Sequence, residues 1–111
     1  MEIKTLTEYG VYNWDNKAYL IINKSESILI EPVIPYEDVK GYNLQAVLIT
    51  HCHYDHISFL DTYLNKGLKF IMSEKTFKYL KDPTINASRG NLEEEIVIDL
   101  GSEDLFLIDK D

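Results

Sequence analysis

All three histidines of the chain fall within six residues, His51-Cys52-His53-Tyr54-Asp55-His56. Imidazole nitrogens beside a carboxylate make a donor set suited to zinc, and also to iron or manganese. In an extended segment residues two apart share a face, so His51 and His53 aim at one point. A turn into a following helix swings Asp55 and His56 toward a second, adjacent point. The competing reading makes each histidine structural and leaves Asp55 only a favourable place near a helix N-terminus. The gathering of every histidine around one aspartate favours the metal. Cys52 lies between two ligand candidates, so its thiol is directed to the opposite face and reads as a small buried apolar group. Tyr54 either lines the mouth of a site or packs.

The elements that must position this segment are legible on both sides of it. Leu44 to Ile49 is apolar on both faces, the pattern of a central strand covered on two sides. The motif follows its carboxyl end, where open α/β sheets place their ligand crevice. Downstream, Ser58 with Asp61 fits a capping box, Phe59, Leu60, Tyr63 and Leu64 form an apolar stripe, and Gly67 supplies a stop. That pattern predicts an α-helix. Lys69 to Met72 reads as another buried strand. Ser73 then caps a helix through Leu80, with Phe77 and Leu80 inward, ended before Pro83.

Upstream, Glu2 to Tyr9 alternates as a modest strand, Asn13 to Asn16 turns, and Ala18–Ile22 with Ser27–Ile30 predict a hairpin that ends at Pro32 and Pro35. Glu95–Leu100 and Leu105–Asp109 predict a closing hairpin through Gly101-Ser102. Glu93-Glu94-Glu95 reads as a solvated turn and Arg89 as a surface residue, while Trp14 is either a surface anchor or a core lid. The order of elements gives a mixed α and β class.

Composition bounds the function. With 111 residues, 45% apolar and 27% charged, the chain suits one globular domain without linkers or repeats. A net charge of −8 argues against nucleic acid or an anionic membrane as partner. The single cysteine excludes an internal disulfide and fits a reduced, cytoplasmic setting. No apolar run approaches the length of a spanning helix.

Thr50-His51-Cys52-His53-Tyr54-Asp55-His56 matches the T-H-x-H-x-D-H signature of the metallo-β-lactamase-fold hydrolases. Asn16-Lys17-Ala18-Tyr19-Leu20-Ile21 resembles the N-x-x-Y-L-I opening of that fold. Ile28-Leu29-Ile30-Glu31-Pro32 sits where its members carry an apolar strand ending in Asp-x-Gly. Asp82 to Ser88 is similar to a loop of the glyoxalase II-like branch. The resemblance implies an α+β fold, a mixed β-sheet with helices on one side, forming half of an αββα sandwich. It implies zinc, one or two ions, with His51 and His53 serving the first and Asp55 and His56 the second. Asp55 would also act in catalysis, orienting a metal-held hydroxide toward a thioester or similar small acyl substrate.

The chain departs from that pattern at Glu31 for the usual Asp, which in the family supports the metal loop. Val33 replaces a Gly, and so does Phe59. Family members are longer, two similar β-rich halves packed face to face, and their second half brings further ligands. Here no histidine lies outside residues 51–56, whereas a catalytic zinc keeps about three protein ligands. The resemblance therefore implies that residues 1–111 are a single partial domain, the amino-terminal half, inactive alone. On that view Leu20, Ile22, Leu29, Val47 and Ile49 form an exposed inner face, and a homodimer covers it. The alternative is a non-catalytic, self-associating interaction or regulatory module with a residual metal site.

Overall fold

The computed structural model describes residues 1–7, 17–50, 57, 59–80 and 105–108. Six strands, β1 (Glu2–Thr7), β2 (Lys17–Asn23), β3 (Glu26–Ile30), β4 (Leu44–Leu48), β5 (Lys69–Ser73) and β6 (Leu105–Ile108), join in one sheet in chain order. A single described α-helix, α1 (Glu74–Tyr79), follows β5. The β1–β2 and β2–β3 pairs are antiparallel. From β3 to β6 every pair is parallel. The fold is thus a mixed sheet of α+β type, as the resemblance implies.

Local chemistry accounts for the joints. The β2–β3 hairpin turns over Lys24 and Ser25, with Lys24 in the left-handed region at φ 58°. Parallel β3 and β4 need a long crossover, supplied by residues 31–43 with two short 3₁₀ turns, Tyr36–Asp38 and Lys40–Tyr42. Asn43, left-handed at φ 54°, ends it, and its carbonyl accepts from the Ser27 N–H at 3.3 Å. Ser73 caps α1 as predicted, its hydroxyl accepting from the Thr76 N–H at 3.0 Å. Leu80 is buried and Phe77 packs against the core.

Two cross-strand rows show which face carries the core. Lys4, Leu20, Leu29, Val47, Phe70 and Leu105 run side by side across the strands, and the central four are buried. The connections bring Val33, Ile34, Val39, Ile57, Leu60, Tyr63 and Leu80 into the same cluster. The neighbouring row runs Thr5, Tyr19, Ile30, Leu48, Ile71 and Phe106. Because strand side chains alternate, it faces the other way. Tyr19 is 40% exposed and Phe106 53%, and Ile28 on the same side is 37% exposed.

This corrects the predicted exposed face. Leu20, Leu29, Val47 and Ile49 are core residues, and Ile22 packs against them. A count that is off by one residue moves a whole strand's apolar set to the opposite face. The apolar face left open among the described residues is the Tyr19–Ile28–Phe106 side.

The helix predicted from Ser58 to Gly67 is also corrected: its described part is one 3₁₀ turn, Leu60–Tyr63. Thr62 Oγ1 donates to the Phe59 carbonyl at 2.8 Å, competing for the acceptor an α-helix would use. Asn65 at φ 61° and Gly67 at φ 74° then turn the chain toward β5. β6 pairs in parallel with β5, and its predicted hairpin partner, residues 95–100, lies outside the described residues. So do the turn at 13–16, Trp14, the 82–88 loop, Arg89 and Glu93–Glu95. No helix among the described residues is long and apolar enough to cross a membrane.

Candidate metal centre

β4 is built from Leu44, Ala46 and Val47, all buried, and delivers the chain to Thr50 at its carboxyl end. The ladder extends one residue beyond the strand, with the Ile49 N–H donating to the Ile71 carbonyl at 2.9 Å. The next six residues, including His51, His53, Asp55 and His56, lie outside the described residues, as do Cys52 and Tyr54. What the structure does give is the frame on either side of them.

On the upstream side the anchor is Glu31. It is buried at the end of β3, and its N–H donates to the Leu48 carbonyl at 2.9 Å. Its Oε1 accepts from the Thr50 N–H at 2.8 Å and from Thr50 Oγ1 at 2.6 Å. Two hydrogen bonds converge on this one oxygen, so the residue before His51 is tied to the end of β3. Glu31 itself stands at φ 70°, a conformation uncommon for a non-glycine residue.

Downstream, Ile57 is buried and Phe59 donates its N–H to the Pro32 carbonyl at 3.0 Å. The chain therefore leaves the described residues at Thr50, beside Glu31, and returns at Phe59, beside Pro32, two adjacent residues. The return is reinforced by Thr62 Oγ1, which accepts from the Tyr36 N–H at 2.9 Å. Tyr63 adds a buried hydroxyl that donates to the Ile34 carbonyl at 2.7 Å. Its ring meets Tyr36 edge-on, with centroids 5.7 Å apart. Burying a tyrosine favours such a partner for its hydroxyl. That rule was the available signal for Tyr63; nothing in the pattern singled out Pro32 or Thr62.

Chemically, three imidazoles and one carboxylate on a short segment fit a borderline divalent metal.

The metallo-β-lactamase superfamily model matches residues 13–68, half of the chain. A hydroxyacylglutathione hydrolase of Pelagibacter ubique is 40% identical over 50 residues, covering 39% of this chain and 21% of the relative. A Bacillus subtilis protein named "Probable metallo-hydrolase YqgX" is 28% identical over 78 residues, 64% of this chain and 37% of its own length. Among solved structures, the BLEG-1 B3 metallo-β-lactamase superposes with a TM-score of 0.74 at 22% identity. That superposition covers 95% of this chain and 53% of BLEG-1. The chain belongs to the metallo-β-lactamase superfamily. It spans about half of BLEG-1 and a smaller share of the curated relatives it matches.

Proposed function

We propose that these residues form the amino-terminal, metal-binding part of a zinc-dependent hydrolase of thioesters or similar small acyl substrates, working in the cytoplasm. The observation that carries the metal reading is the anchoring of the two residues that flank 51–58, Thr50 to Glu31 and Phe59 to Pro32. Both anchors stand just past the carboxyl ends of the parallel strands β3 and β4, where open α/β sheets place their ligand crevice. The likeness to a hydroxyacylglutathione hydrolase supports a thioester substrate.

In this reading His51 and His53 hold one ion, and Asp55 and His56 a second. Zinc supplies Lewis-acid polarisation of a carbonyl and a more acidic water. Asp55 accepts a hydrogen bond from the attacking water and orients it. Thr50 and Glu31 keep the segment in register with β4. With every histidine of the 111 residues inside 51–56, each ion has two ligands from these residues, and a catalytic zinc calls for about three. Activity accordingly needs further ligands.

That same ligand count favours a second reading, a non-catalytic module that keeps a weak metal site. Such a module would self-associate, as a homodimer, through the open Tyr19–Ile28–Phe106 face.

The test is thioester hydrolysis by the protein translated from the whole open reading frame that contains these residues. Metal-dependent turnover, abolished by His53→Ala and spared by Cys52→Ala, is expected. The 111 residues alone should add nothing to hydrolysis by free zinc. Turnover that survives His53→Ala contradicts the proposal. A frame that ends at Asp111 and shows no turnover favours the module.

A further inference from the structure

We draw no further inference here: the strongest candidate, the open apolar face of the sheet around Tyr19, Ile28 and Phe106, carries nothing, because nothing in the structure shows what covers it.

Discussion

Truncating Leu29 and Ile28, neighbours on β3, separates the two faces of the sheet. Leu29 is wholly buried, flanked across the strands by Leu20 and Val47. Leu29→Ala removes packed methyl and methylene groups and leaves a cavity among side chains held by two neighbouring strands, a loss of about 2–5 kcal/mol. Ile28 is 37% exposed, so Ile28→Ala opens no closed cavity. Its cost is about 1 kcal/mol or less, most of it strand propensity. Domains of this size hold only about 5–15 kcal/mol in total, so the first change is severe and the second mild. In urea unfolding followed by circular dichroism, a difference of ~3 kcal/mol separates the midpoints by roughly 1–3 M. Equal midpoints, or a larger loss for Ile28→Ala, would refute the face assignment and mean that the Ile28 side is covered in solution.

Tyr63→Phe should cost about 1–3 kcal/mol by thermal or urea unfolding, because it leaves the buried Ile34 carbonyl without its 2.7 Å donor. Ser73→Ala should cost about 1 kcal/mol through loss of the α1 cap, and Ser73→Asp should recover most of it. The Glu37 carboxyl should titrate below the ordinary glutamate range by NMR, held there by the hydrogen bond and charge of Lys40 at 2.7 Å. Lys40→Met should return it upward. Because both side chains are exposed, added salt should shrink the difference.

The strands were readable because their burial is one- or two-sided in a way the sequence repeats. β4 is buried on both faces and looks it; the β2–β3 hairpin announces itself by a polar interval between apolar runs. Face assignment was less accessible, since Leu20 and Ile21, or Ile28 and Leu29, are apolar alike and differ only in which side the crossovers cover. The helix expected after the motif fails for a tertiary reason: Thr62 and Tyr63 bond to Phe59, Tyr36 and Ile34 rather than extending a regular turn. At the candidate site the donor cluster was plain in the sequence. Its anchoring at Glu31 was legible only through the family resemblance, because Glu31 and Thr50 lie 19 residues apart and meet only when β3 and β4 pair in parallel.

The central claim is that histidine and aspartate of residues 51–56, and not the thiol among them, hold a metal. Zinc K-edge absorption on the loaded chain tests it directly. The account predicts nitrogen and oxygen neighbours at about 2.0–2.2 Å with imidazole scattering, unchanged by Cys52→Ala and lost with His53→Ala. A sulfur neighbour at about 2.3 Å that disappears in Cys52→Ala would contradict it.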